Sequence, residues 1–253
     1  MNNFETFSQL HYSDTALLIG NVWDVTSAKL MEESGIKAIA TSSAAVANSM
    51  GYEDGQYIPF ALLLETVQRI KKNISVPLSV DMERGYSNTI PGVLQNIDKL
   101  LDAGVAGINI EDNVSGARLR SVESFQKFLS CISNHIAKKN RQLFVNARTD
   151  AFLLKHPNAL AETVLRAKAY EAAGANGIFV PFVTDIISIK KIVEATSLPV
   201  NVFFCKGLPG FKTLADAGVK RISMGTALYK AMKKDLSVRI KELQQSQSAG
   251  SLF

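Results

Sequence analysis

Asp102-Ala103-Gly104-Val105-Ala106-Gly107-Ile108-Asn109-Ile110-Glu111 is the stretch on which the fold turns. A helical pattern over residues 93–103 runs into Gly104, and an apolar run over 106–111 follows at once. Glycine after the last helical turn takes the left-handed conformation that closes it, and the apolar, β-branched run then re-enters a sheet. The same order of helix, Ala-Gly and strand returns at Ala172-Ala173-Gly174-Ala175 and at Asp216-Ala217-Gly218.

Outward from there, strands are predicted over residues 16–20, 37–41, 77–81, 106–111, 142–147, 177–181, 198–202 and 221–223. Helices alternate with them over 23–34, 59–72, 93–103, 122–138, 159–173, 185–196, 208–217 and 227–243, as the spacing of apolar residues and the Gly and Pro punctuation require. Eight such units in 253 residues predict an α/β fold, a parallel (β/α)8 TIM barrel. An open doubly wound sheet would carry a Gly-rich phosphate fingerprint after its first strand, and Gly20-Asn21-Val22-Trp23-Asp24 is not one. With 47% apolar residues and no linker or charge block, residues 1–253 are expected to form one domain with a frayed tail from about 244.

The net charge of +5 is scattered rather than gathered into a basic stripe with aromatics, which argues against nucleic acid and suits small anionic substrates. Cys131 and Cys205 lie far apart and form no CxxC, as expected of a reducing compartment. The first residues carry no basic segment leading into an apolar run, and no stretch is long enough to span a bilayer, so no membrane partner and a cytoplasmic location are expected. His11, His135 and His156 fall in a terminal segment, a helix and a loop, which gives a histidine-centred mechanism little support.

In a barrel the chemistry collects at the C-terminal ends of the strands. Ser79-Val80-Asp81-Met82-Glu83-Arg84-Gly85-Tyr86 is such an end. If 77–81 is a strand, alternation turns Asp81 and Glu83 to one face. Paired carboxylates there favour a hard divalent cation, Mg2+ or Mn2+, that keeps waters for a substrate to replace; a solvated acidic turn is the other reading. Further strand ends supply Trp23 and Asp24, Thr41-Ser42-Ser43, Glu111 and Asp112, and Asn146-Ala147-Arg148-Thr149-Asp150, with Asp54 in the loop beyond the second strand. Acids drawn from several strands to one mouth favour the metal reading. Arg148 adds a planar cation suited to a carboxylate or a developing enolate oxygen, and also to a salt bridge with Asp150 or Glu111. Backbone N–H groups around Ser42 and Ser43 are placed to hold a substrate carboxylate. Asn109 shares its parity with Glu111 and fits the barrel interior.

These residues carry a resemblance. Asn21-Val22-Trp23-Asp24, Gly51-Tyr52-Glu53-Asp54, the 79–86 stretch, Gly107-Ile108-Asn109-Ile110-Glu111-Asp112 and Asn146-Ala147-Arg148-Thr149-Asp150-Ala151 resemble, in order, motifs of the isocitrate lyase/phosphoenolpyruvate mutase superfamily, as do later stretches up to residue 229. The similarity is to its short single-domain members. It implies a homodimer or homotetramer of barrels that exchange the last helix. It also implies Mg2+ (or Mn2+) held directly by Asp81 and through waters by Glu83, Glu111 and Asp54, with Arg148, Asp54 and Glu111 as the catalytic set. Trp23, Thr41, Ser42, Ser43, Asn146 and Arg148 would bind a small anionic 2-oxo or 2-hydroxy acid substrate.

The departures are local. Lyases of the group carry a Lys-Lys/Arg-Cys-Gly-His loop after the fourth strand, and the mutase a longer loop with its own Lys and Asn. Here Asn113-Val114-Ser115-Gly116-Ala117-Arg118-Leu119-Arg120 has neither pattern, and offers Arg118 and Arg120 either as anion-gripping lid residues or as surface arginines. Glu83 replaces the usual Asp, and Ser43 stands where several members have Gly. The first expectation is therefore a Mg2+-dependent lyase or hydrolase-type enzyme that cleaves a C–C bond of a small 2-oxo or 2-hydroxy dicarboxylate through an enolate. The alternatives are C–P chemistry of the phosphoenolpyruvate mutase or phosphonopyruvate hydrolase type, and a non-catalytic barrel that binds a 2-oxo acid. A third, that the strand-end acids only solubilise the surface, predicts no metal affinity.

Overall fold

The computed structural model describes residues 2–115 and 117–252. Met1, Phe253 and Gly116 of the 113–120 stretch lie outside the described residues. In chain order the elements are α1 (Asn3–Leu10), β1 (Leu17–Val22), α2 (Val25–Glu33), β2 (Ile39–Thr41), α3 (Ser43–Ser49), α4 (Phe60–Lys71), β3 (Leu78–Asp81), α5 (Ile90–Asp102) and β4 (Gly107–Glu111). A hairpin of β5 (Asn113–Val114) and β6 (Arg118–Leu119) leads to α6 (Val122–Lys138), β7 (Phe144–Arg148), α7 (Ala159–Ala172), β8 (Gly177–Phe179), α8 (Ile186–Glu194) and β9 (Val200–Phe203). Then come α9 (Phe211–Asp216), β10 (Arg221–Ser223), α10 (Ala227–Ser246) and a 3-10 turn (Ala249–Leu252). All strands but the hairpin pair close into a parallel barrel in the order β1-β10-β9-β8-β7-β4-β3-β2.

Alternation divides each strand between two environments. Val80, Ile108, Ile110, Val145, Ala147 and Ile178 belong to the main apolar cluster, which the helices share. The intervening residues face the barrel interior, and register lines them up: Asp81 sits beside Asn109, Asn109 beside Asn146, and Glu111 beside Arg148. Asn146 accordingly donates to Asn109 Oδ1 at 2.9 Å, so the parity reading of Asn109 holds.

The barrel floor is closed by α1, which no predicted element covered. Its signal was the Asn2…Glu5 capping box, and at eight residues it is too short to show a sustained period. Phe7 from α1 is fully buried among Leu17, Ile19, Ala38, Ala40, Ala106 and Phe144. Gly107 makes this possible, because a Cβ there would stand 2.7 Å from the Phe7 ring. Arg221 lies buried above the ring, its Cζ 5.8 Å from the centroid, with Nη2 donating to Asn109 Oδ1 at 3.3 Å. Its Nε and Nη1 have no partner among the described residues. His11 hydrogen-bonds the Phe7 carbonyl at 2.8 Å and stacks on Phe144.

At the other end of the chain α10 continues to Ser246 and the 3-10 turn follows, where a frayed tail from about 244 was expected. The helix buries only Tyr229, while Leu228, Met232, Leu236, Val238 and Ile240 are exposed. Among the described residues no helix is long and apolar enough to cross a membrane.

Candidate active site

Across the mouth of the barrel lies a cavity of ≈ 840 Å³ whose walls include Asp54, Glu83, Glu111, Arg148 and Asp150. Asp81 ends β3 beneath it. The β3 tip is locked from behind: the Asp81 N–H donates to Thr41 Oγ1 at 2.9 Å, and Ser43 Oγ donates to Asp81 Oδ2 at 2.9 Å. Among the described residues, Asp81 Oδ1 is buried and has no hydrogen-bond partner. A carboxylate oxygen in that state lacks the donor or cation that burial demands.

Glu83 reaches the same mouth, though not by strand alternation. The strand ends at Asp81, and Glu83 (φ 48°), Gly85 (φ 103°) and Tyr86 (φ 55°) turn the chain through left-handed backbone. Tyr86 Oη donates to Glu83 Oε1 at 2.8 Å and the Gln56 N–H at 3.2 Å. Even so, burial, with Asp81 and Glu111 nearby, pushes the Glu83 carboxyl up to about 8. Burial and Asp81 also raise Asp54. Burial raises Glu111, which Arg148 opposes and Asp150 and Asp81 reinforce. The cluster holds more negative charge than its own cations neutralise.

Arg148 is the fixed cation. Its Nη1 lies 3.0 Å from Glu111 Oε2 and its Nε 2.7 Å from Asp150 Oδ1, so the sequence's salt-bridge reading holds with both acids at once. Burial disfavours the cation, yet Glu111, Asp150 and Asp81 hold it above its ordinary value. No hydrogen bond of Nη2 is found among the described residues, and Arg148 is one of the residues that line the cavity. Asn113 Nδ2 in turn ties Glu111 at 2.7 Å to Asp150 at 2.6 Å.

Several predicted residues sit elsewhere. Thr41 shares parity with Ile39 on the helix side, which is why its hydroxyl holds backbone and not ligand. The Ser42 N–H donates to the Val22 carbonyl at 3.0 Å and its hydroxyl caps α3, so of this trio Ser43 alone lines the cavity. Trp23 packs edge-on against Tyr229 and Asn146 bonds Asn109; neither lines the cavity. Asp24 caps α2 in a capping box with Ser27. Asp112 is fully buried, paired with Arg166 at 3.0 Å and Tyr170 at 2.7 Å, and serves the frame behind the mouth.

The sequence reading missed Arg84, Tyr86, Gln56 and Asn113 as site residues. Arg84 and Tyr86 stood inside the quoted motif, where adjacency to Asp81 and Glu83 was the available signal. Gln56 and Asn113 come from loops whose path no periodicity fixes.

Among the described residues, no three or more His, Cys, Asp or Glu side chains form a group arranged to hold a metal ion. The donor set fits a cation bound directly by Asp81 Oδ1 and through water by Glu83, Glu111 and Asp54, as a strongly hydrated hard ion prefers.

Comparison with known proteins settles the lineage. Residues 7–244 match the family model described as phosphoenolpyruvate phosphomutase. The chain belongs to that family. Relatives within it include oxaloacetate decarboxylase 1 of Pseudomonas fluorescens Pf0-1, 29% identical over 94% of this chain and 84% of the relative. Another is 2-methylisocitrate lyase of Escherichia coli K12, 27% identical over 86% and 76%. A crystal structure described as a "putative phosphonomutase" from Burkholderia cenocepacia J2315 superposes with a TM-score of 0.90 at 34% identity, over 94% of this chain and 99% of that one. The phosphoenolpyruvate mutase/isocitrate lyase superfamily is thus the right one, its relatives are lyases, decarboxylases and mutases, and the chain is an enzyme of this type.

Proposed function

We propose that the protein is a cytoplasmic, Mg2+-dependent lyase that breaks a C–C bond of a small 2-oxo or 2-hydroxy dicarboxylate through an enolate. One observation carries this reading: Asp81, whose Oδ1 is buried and has no hydrogen-bond partner among the described residues, ends β3 beneath the cavity that Glu83, Glu111 and Arg148 line. The bound cation, Mg2+ or Mn2+, would supply positive charge that draws electron density from the substrate's carbonyl and carboxylate. Ser43 keeps Asp81 oriented for it. Glu111 and Asp150 fix the Arg148 guanidinium, so that Nη2 meets negative charge where it develops on the enolate oxygen. Asp54 and Glu83 complete the charge balance around water. The decarboxylase relative makes oxaloacetate and malate-like acids the first compounds to test.

A second reading, C–P chemistry on a phosphonate, is favoured by the family model and by the Burkholderia likeness. The hairpin at 113–119 lacks the mutase pattern and places it second. A homodimer or homotetramer that exchanges α10 accounts for the apolar residues which that helix leaves exposed.

Calorimetry with oxalate, a planar mimic of the pyruvate enolate, tests the site. Oxalate should bind the unaltered protein only with Mg2+ present, and Asp81→Ala should abolish that binding; unchanged binding in the variant would sink the metal assignment. A turnover screen of 2-oxo and 2-hydroxy dicarboxylates and phosphonopyruvate, reading pyruvate or glyoxylate release, then names the substrate. Binding without release from any compound would move the weight to the non-catalytic reading.

A further inference from the structure

Arg148 is engaged by two carboxylates, but two other arginines on the same cavity wall are not neutralised in this way. Arg120 lines the cavity, and among the described residues no carboxylate lies within ion-pair distance of its guanidinium, which instead covers the Phe128 ring at 5.0 Å. Its backbone is clamped at both ends: the N–H donates to the Asp112 carbonyl at 2.7 Å, and the carbonyl accepts from Arg166 Nη2 at 2.7 Å. The buried Asp112–Arg166–Tyr170 frame therefore fixes where Arg120 begins.

Arg84 lines the same cavity. Its Nη2 donates to the Gly55 carbonyl at 2.9 Å and its Nη1 stands 3.4 Å from Asn113 Oδ1 and 3.6 Å from Glu111 Oε1, a long contact to an acid that Arg148 already holds. Burial, and after it repulsion from Arg84, makes the charge on Arg120 harder to keep, and Asp112 and Tyr170 only partly oppose this. Two like charges lining one cavity, partly removed from water, form a site that an anion completes. The cavity, at ≈ 840 Å³, is also far larger than a three-carbon acid needs.

We propose that Arg84 and Arg120 form a second anion subsite that selects substrates with a negative group at the end remote from the enolate-forming carbons. This rests on the enolate reading of the mouth and narrows it: the remote group is a carboxylate or a phosphonate, and a monoacid of equal length is a poor ligand. Arg84 and Arg120 are specificity-determining residues and take no part in the bond-breaking step.

The test is calorimetry on the full chain with Mg2+, comparing oxalate, 2-oxobutanoate, malate and phosphonopyruvate. The unaltered protein should prefer the two dianionic four- and three-carbon ligands over 2-oxobutanoate. Arg120→Met, which keeps most of the apolar stem over Phe128, should weaken malate and phosphonopyruvate roughly 10- to 100-fold and leave oxalate within about twofold. Arg120→Lys, which keeps charge but not the fork, should fall between. The larger loss, on malate or on phosphonopyruvate, names the remote group. Dianion affinities that move less than about threefold in Arg120→Met, in a variant whose oxalate binding and thermal midpoint are intact, overturn the subsite and leave the enolate reading standing. Oxalate failing to bind the unaltered protein overturns the enolate reading, and with it the subsite defined relative to that enolate.

Discussion

The two ends of this barrel each bury an arginine, and they treat it in opposite ways. At the mouth, Arg148 is wedged between Glu111 and Asp150, in a wall of carboxylates that outnumber it and open onto a cavity. At the floor, Arg221 is sealed under α1 with one long hydrogen bond, an aromatic ring and two unpartnered nitrogens, and burial drops its guanidinium to about 9. A buried ion pair is costly to break because the survivor is left bare, while a buried charge without a counter-ion is costly to keep. The same substitution should therefore have opposite signs at the two ends.

Arg148→Met carries the largest expected effect. On the proposed mechanism it should lower turnover by about 10²- to 10³-fold through loss of the donor assigned to the enolate oxygen. It should also destabilise by about 3–5 kcal/mol by leaving Glu111 and Asp150 uncompensated. Steady-state kinetics beside denaturant unfolding would show both; retained turnover would remove Arg148 from the chemistry. Phe7→Ala should cost a comparable 3–5 kcal/mol by emptying the plug of the floor, with KM unmoved. If KM rose with it, the two ends would not be independent.

Arg221→Met should raise stability by about 1–4 kcal/mol, the range found when buried charges give way to apolar side chains of similar volume. A drop in the unfolding midpoint would mean that Arg221 has a partner at the floor which its geometry does not reveal.

The smallest effect is the slope of stability with pH. Glu83 is raised from 4.5 to about 8, so the folded protein keeps a proton that the unfolded chain releases. That contribution is complete below pH 4.5 and is lost as pH climbs to about 8. His11 at the floor is lowered to about 3 by burial and by Arg221, and works in the other direction: its contribution is present above pH 6.5 and is lost as pH falls towards 3. Asp98 and Glu171, lowered by their partners, act only in the acid range. Between pH 6.5 and 8.5 the mouth dominates the slope, because Glu83 and Glu111 release protons there while Arg221, lowered to about 9, begins to oppose them only at the top of the window. Metal-free protein should lose thermal stability across that window, and Mg2+ should restore more of it at pH 8.5 than at 6.5. An equal gain at both values would separate Glu83 from the cation site.

The barrel was legible because its signals repeat. Each Ala-Gly cap with a following β-branched run places one helix-to-strand step, and errors of two or three residues at the ends change no neighbour. Asp81, Glu111 and Arg148 were legible because each ends its strand on the parity that faces the barrel interior, whereas Thr41 ends β2 on the other parity. What stayed hidden depended on single contacts. Thr41 and Ser42 look identical to ligands until register shows one hydroxyl behind β3 and the other at a helix cap. Asp112 follows Glu111 by one residue and therefore turns away from it, into Arg166 and Tyr170. The α1 plug needed knowledge that Gly107, some hundred residues away, leaves a gap for Phe7.

Glu83 sits in left-handed backbone, a conformation that costs a side chain like glutamate roughly 1–2 kcal/mol, and it is packed against like charge. Asn tolerates that backbone and needs no bound proton to sit beside Asp81 and Glu111. A selection for heat resistance that never assays turnover should therefore reach Glu83→Asn early, and yield a hardier barrel with a blunted mouth. Whoever engineers this enzyme for durability would do well to hold position 83 fixed.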